Sequence, residues 1–272
     1  MTNKRTTIFA AATGVCHVAL AVVLSAAAAG ACSNDAQTQL GSANSFALLA
    51  LSNGSMIINS ATSITGDVGY SAYVTSTTNQ KVSGFTGTAY VASTATFIYM
   101  PATFQPTGGI ITGADALLSA ANASVADAAS CYAALGSGTS LGNVTTSRVL
   151  TSGGAVNVYS MTSLNLNGQT LTLNGTSTDL FLFVVQGSFD WSQSQIILNG
   201  VSPSQVVWYF PNASDVTINK ATTVFAGTIL GPTASVDYHN PAQFTGAIIA
   251  QSIDVHSAFN ICKPAPPVPL PM

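Results

Sequence analysis

A seven-residue segment near the C-terminus recurs 19 residues later, and this echo restricts the fold more sharply than anything else in the chain. Phe225-Ala226-Gly227-Thr228-Ile229-Leu230-Gly231 returns as Phe244-Thr245-Gly246-Ala247-Ile248-Ile249-Ala250. Each copy leads into a second short strand, Ser235-Val236-Asp237-Tyr238-His239 and Ser252-Ile253-Asp254-Val255-His256. Asp215-Val216-Thr217-Ile218-Asn219 is an earlier relative. Short strands recurring roughly every 17 to 20 residues fit one coil of a β-solenoid per repeat. Asn-Gly steps at 167–168, 174–175 and 199–200 mark corners. Such steps usually close hairpins, but a hairpin meander does not produce the echo, whereas parallel stacking does.

Alternation extends the strand reading upstream. Leu171 and Leu173, then Phe181, Phe183 and Val185, then Val206, Trp208 and Phe210 occupy every second position, which puts each set on one strand face. One Ala-rich helix interrupts the strands over 112–135. Leu117, Leu118, Ala121, Val125, Ala128 and Tyr132 fall at helical spacing, with Thr112 as N-cap, Asp115 in the first turn and Gly136 as terminator. Its apolar stripe needs a partner, and Leu182 and Val184, opposite the core face of strand 180–185, provide one. The region 40–105 is the expected cap against end-to-end stacking.

The N-terminus reads as a leader. Lys4 and Arg5 precede an uncharged apolar stretch from Ile8 to Leu24, and Ala29-Gly30-Ala31 offers a cleavage site. The expected division is a signal peptide over 1–31, a β-solenoid domain over 32–262 and a Pro-rich tail over 263–272, with the mature protein secreted or attached to the cell surface. Charged residues are only 6% of the chain, against about a quarter in ordinary domains. Past the leader the bases are Lys81, Arg148, Lys220 and Lys263, so no basic patch exists to bind nucleic acid. A hydrophobic content of 47%, punctuated by turn residues, excludes disorder.

Three cysteines remain past the leader, Cys32, Cys131 and Cys262. An odd number leaves two arrangements open. Either Cys32 carries a lipid anchor while Cys131 and Cys262 pair, or Cys32 and Cys262 clip the termini together around a buried Cys131.

Leu40-Gly41-Ser42-Ala43 with Phe46-Ala47-Leu48-Leu49-Ala50, then Ile64-Thr65-Gly66-Asp67-Val68-Gly69, resembles the opening of the ice-binding-protein-like family. The Ala-rich helix, Val207-Trp208-Tyr209-Phe210 and the closing repeats are similar to it as well, so the likeness spans roughly residues 40–262. The resemblance implies a mainly β fold: a discontinuous right-handed parallel β-solenoid of triangular section, with one long α-helix packed alongside and N-terminal coils separated in sequence from the rest. Phe210-Pro211-Asn212-Ala213 and Gly227-Thr228-Ile229-Leu230-Gly231-Pro232 are also similar to bacterial surface adhesin-like domains. The implied function is non-catalytic: an extracellular protein that binds the surface of ice crystals, or an adhesive module for a host or matrix protein or glycan.

Candidate binding residues follow from stacking the strands. With Val216, Val236 and Ile253 inward, Thr217, Asp237 and Asp254 form one outward column, and Asn219, His239 and His256 the next; Thr172 and Asn174 are expected to extend both. With Phe225, Gly227, Phe244 and Gly246 inward, Ala226, Thr228, Thr245 and Ala247 form an uncharged patch. Asp237, His239, Asp254 and His256 are allowable metal ligands, but exposed Asp and His are commonly just solvated, so no metal and no cofactor is expected. Asp237 with Asp254 is the one carboxylate pair the stacking brings together, the chain has no Glu, and no hydrolase or nucleotide-binding motif is present. Trp208 belongs to the core; Trp191 could be a platform for a sugar ring.

Overall fold

The computed structural model describes residues 32–52, 54–58, 62–71, 73–74, 84–97, 105–212, 214–219, 224–239, 243–256 and 259–263. The chain divides into two units, Met1–Ala31 and Cys32–Met272. The expected leader and the tail from residue 264 onward lie outside the described residues. No described helix is long and apolar enough to cross a membrane.

The second unit is mainly β, and its strands pair in parallel into three ladders. The first ladder runs from segment 139–142 through 156–161, 180–185, 206–209, 228–230, 247–250, 48–50, 68–70 and 89–91 to Ile110–Thr112. The second runs through 164–167, 189–192, 215–219, 235–239, 252–255 and 56–58 to 73–74 and 96–97. The third comes in two sections. One is a three-stranded sheet of Arg148–Thr151, Thr170–Asn174 and Gln195–Asn199. The other joins 224–226, 243–245, 261–262, 62–65 and 84–86. Followed along its length, the chain visits the ladders in rotation, so each visit to all three is one coil.

Sequence order and stacking order differ at one place. Strand Phe46–Ala50 pairs with 248–250 on one side and with Asp67–Tyr70 on the other, and Thr62–Thr65 pairs with Phe259–Cys262. The C-terminal coil therefore lies inside the stack, between coil 228–245 and the N-terminal coils. The discontinuity is thus a matter of pairing, and it corrects the expectation that 40–105 caps the stack: its described strands build further coils. The exposed strand Ile110–Thr112 is the end of the first ladder instead.

The echo has a steric cause. At the third residue of each copy the chain turns from the third ladder into the first. Gly227 has φ +111°, where a side chain is strained. A Cβ on Gly246 would lie 1.9 Å from the carbonyl oxygen of Gly227. Backbones stacked this closely admit only glycine at the later corner.

The alternating residues point inward as their spacing predicts. Phe181, Phe183, Phe189, Trp191, Trp208, Phe210, Phe225 and Phe244 are fully buried. They stack along the coils, Phe183 on Trp208 at 4.4 Å and Phe225 on Phe244 at 5.4 Å. Trp191 is among them, its Nε1 donating to the carbonyl of Ser194 at 3.1 Å, so it offers no platform to a sugar.

The helix spans Asp115–Ala134 and buries Leu118, Ala121, Val125, Ala128 and Tyr132. This stripe shares one apolar cluster with Leu182, Val184, Val207, Tyr209, Leu230 and Ile249 on the outer side of the first ladder. Leu117 is exposed, and Thr112 ends a strand and does not cap the helix. Ala114 takes the cap position without a side-chain hydrogen bond, and the Asp115 carboxylate accepts from Ser93 N and Oγ, both at 3.1 Å. Gly136, at φ +77°, ends the helix as expected. Cys131, on the helix, pairs with Cys32, with Cα atoms 5.5 Å apart, and Cys262 is free and exposed. Both expected arrangements are overturned: a Cys32 sulfur held in a disulfide cannot carry a lipid thioether.

Candidate functional site

The outer side of the first ladder is covered by helical segments, so surfaces available to a ligand lie on the other two ladders. On the second, the register places Asn165, Asp190, Thr217, Asp237 and Asp254 in one outward column. Asn167, Ser192, Asn219 and His239 form the next, with the His256 ring stacked on His239 at 4.2 Å. Carboxylates recur through the first column at Asp190, Asp237 and Asp254, and the second passes from amide and hydroxyl to imidazole. His239 Nε2 lies 2.8 Å from Asp237 Oδ1, and His256 Nε2 lies 3.1 Å from Asp254 Oδ2. Burial lifts the Asp254 carboxyl above its ordinary range, with His256 pulling it down and Asp237 pushing it further up.

The third ladder is different. Val149, Thr172 and Ile197 are register partners in one outward column of the three-stranded section; Thr151, Asn174 and Asn199 form the next. Asn199 Nδ2 donates to Asn174 Oδ1 at 2.8 Å, and Asn174 Nδ2 to Thr151 Oγ1 at 3.3 Å. Gln195 Nε2 donates to Thr170 Oγ1 at 2.9 Å. Val149 and Ile197 are exposed at 67% and 39%, so an apolar column stands in solvent beside an amide ladder. In the other section Thr245, Cys262, Thr65 and Thr86 succeed one another in register, with Asn260 and Ser63 beside them. None of these outward columns carries a charge; Arg148, at the end strand, stands in register with inward Leu171.

The eight candidate residues are not brought together. Thr217 and Asn219 lie on the second ladder as expected. Thr172 and Asn174 do not extend their columns, because the corner at Gly168, φ +67°, carries the chain onto the third ladder first. Asn165 and Asn167 extend them instead. Ala226, Thr228 and Ala247 are buried, at 3%, 7% and 3% exposure. Ala226 belongs to the core inside the coils. Thr228 and Ala247 follow the corner glycines and stand on the covered side of the first ladder, in register with Val207. Only Thr245 of that patch reaches the surface. Thr65, Thr86, Thr151 and Asn199 were missed, and their signal was available as hydroxyl and amide residues at every coil.

The Asp237–Asp254 pair faces outward beside two imidazoles, and a shallow depression between Gly138 and Tyr159 is lined by Thr139, Thr151 and Asn157 without an acid, His or Cys.

Comparison with known proteins places the chain. The family model described as "Putative Ice-binding-like adhesive domain" matches residues 20–261. No curated protein sequence matches. Among solved structures, an ice-binding protein from the Antarctic ascomycete Antarctomyces psychrotrophicus superposes with TM-score 0.56 at 22% identity, over 81% of this chain and 95% of that one. An ice-binding protein from an Antarctic biological consortium gives 0.57 at 23%, over 82% and 89%. Ice-binding protein 1 of Shewanella frigidimarina gives 0.53 at 22%, over 84% and 97%. At these identities the likeness is one of fold.

Proposed function

The chain belongs to the ice-binding-like adhesive domain family, and from that premise we propose that it is a non-catalytic extracellular protein that adsorbs to ice through its third ladder. In this reading the three ladders are the faces of a right-handed triangular β-solenoid, exported by the leader over 1–31.

The observation that carries the proposal is the uncharged, coil-by-coil repetition of Thr151/Asn174/Asn199 beside Val149/Thr172/Ile197, with Thr245, Thr65 and Thr86 further along the ladder. Coils repeat every ~4.8 Å, so hydroxyl, amide and methyl groups recur on a fixed lattice. A rigid lattice pays no ordering entropy on adsorption, and many weak contacts add. Ionic groups hold their own hydration too firmly to join an ice lattice, which sets the second ladder aside as the ice face. Thr217 stands between Asp190 and Asp237 in its column, so it and its strand neighbour Asn219 are set aside with that ladder.

An adhesive module is the second reading, favoured by the clustered Asp237, His239, Asp254 and His256, which suit a protein or glycan partner better than ice. Ice-affinity partitioning tests the first: the protein should concentrate in a slowly grown ice hemisphere. Exclusion from the ice, together with no inhibition of recrystallisation, would leave the adhesive reading.

A further inference from the structure

We propose that Asp237, His239, Asp254 and His256 bind one divalent transition-metal ion of the zinc class, clasping two neighbouring coils. Asp237 and Asp254 are register partners on adjacent coils, and the rings of His239 and His256 lie nearly parallel, 9° apart. Two imidazole nitrogens converge on one oxygen: His239 Nε2 at 2.8 Å and His256 Nε2 at 3.3 Å from Asp237 Oδ1. Asp254 Oδ2 is 3.1 Å from His256 Nε2. Donors at bonds of ~2.1 Å around a tetrahedral ion stand about 3.4 Å apart, so these atoms are already gathered at close to coordinating separation.

A second observation points to a cation. Asp237 Oδ1 is shut off from solvent, yet no donor among the described residues is aligned to hydrogen-bond it. Its close contacts are the two ring nitrogens. The Asp254 carboxylate, one coil away, repels that of Asp237. A divalent ion held between the carboxylates and both Nε2 atoms relieves that repulsion.

The donor set fixes the class of ion. Imidazole with carboxylate suits Zn²⁺, Ni²⁺ or Cu²⁺, whereas Ca²⁺ and Mg²⁺ take oxygen ligands. The four side chains are 31% to 43% exposed, which leaves the ion a path in from solvent. Because the ligands come from coils 235–239 and 252–256, binding opposes their separation and raises the melting temperature by mass action.

The test is calorimetric titration of the full chain with ZnCl2, followed by NMR of the histidine ring protons. One saturable equivalent is expected, with affinity falling at least tenfold in His239→Gln, in His256→Gln and in Asp237→Asn, and unchanged in Cys262→Ser. On the unmodified protein, Zn²⁺ should shift the ring resonances of His239 and His256, a readout that does not depend on any variant folding. Absence of saturable uptake, uptake that survives the double His239→Gln/His256→Gln substitution, or uptake lost only with Cys262 would each overturn the site.

Discussion

Asn199 donates from Nδ2 to Oδ1 of Asn174, its register partner one coil away, over 2.8 Å. That bond, continued to Thr151, fixes the amide planes and so the direction in which each coil presents its remaining donors and acceptors. Replacing Asn174 by Ala should lower folding stability by no more than about 1 kcal/mol, since net hydrogen bonds at exposed sites are worth about that much. It should nonetheless reduce ice recrystallisation inhibition measurably. Urea unfolding beside a splat assay separates the two effects.

The corner glycines should be the least replaceable residues in the echo. A Cβ at 246 would run into the Gly227 carbonyl, which is backbone and cannot step aside. Gly246→Ala is expected to cost about 3 kcal/mol or more, in the range of severe packing and strain defects. Gly142→Ala, where nothing lies within 4 Å but φ is +63°, should cost about 1 kcal/mol from strain alone. Equal losses at the two sites, by thermal or urea unfolding, would contradict the stacked-corner account.

The disulfide between Cys32 and Cys131 spans 99 residues and ties the start of the domain to the helix. Chain entropy alone gives about 4.7 kcal/mol for a loop of about 100 residues, and disulfides typically contribute about 2–4 kcal/mol. Peptide mapping without reduction should recover the 32–131 pair and no pair involving 262. The Cys32→Ser/Cys131→Ser double variant should melt lower than the parent, and Cys262→Ser should melt with it.

Lys263 carries a pH dependence of definite sign. Burial lowers its ammonium from 10.5 to about 8, with Asp67 pulling the other way. Below pH 8 the folded and unfolded chains both hold the proton, and the fold bears the cost of the buried charge. Between 8 and 10.5 the unfolded chain keeps a proton that the folded one releases, so this residue's contribution to stability improves as pH rises. Lys263→Met should therefore be more stable than the parent at pH 7, and the gap should narrow by pH 10 in denaturant unfolding at both values.

Much of the fold was legible because inward positions repeat with period two and coils with the 19-residue echo. Phe181/Phe183/Val185, Val206/Trp208/Phe210 and the helix stripe from Leu118 to Tyr132 all reach the core they were assigned. The site was less legible because alternation does not survive a corner. Counting through Gly227 from Phe225 put Ala226 and Thr228 on one outward face, whereas the turn at that glycine leaves Ala226 in the coil interior and Thr228 beneath the helical layer. The same error at Gly168 set Thr172 and Asn174 on the wrong ladder. Cysteine pairing was beyond reach, since nothing in the spacing says that the end of the helix meets residue 32.

The central claim is that the uncharged third ladder is the surface that meets ice. Thermal hysteresis measured on the parent chain and on a Thr172→Tyr/Thr65→Tyr variant tests it most directly, with the melting temperature as a check that the fold is kept. The account predicts faceted crystals and a freezing gap in the parent, and loss of most of that gap in a variant that melts normally. A parent with no freezing gap at high concentration, or a folded variant that keeps it in full, would contradict the claim.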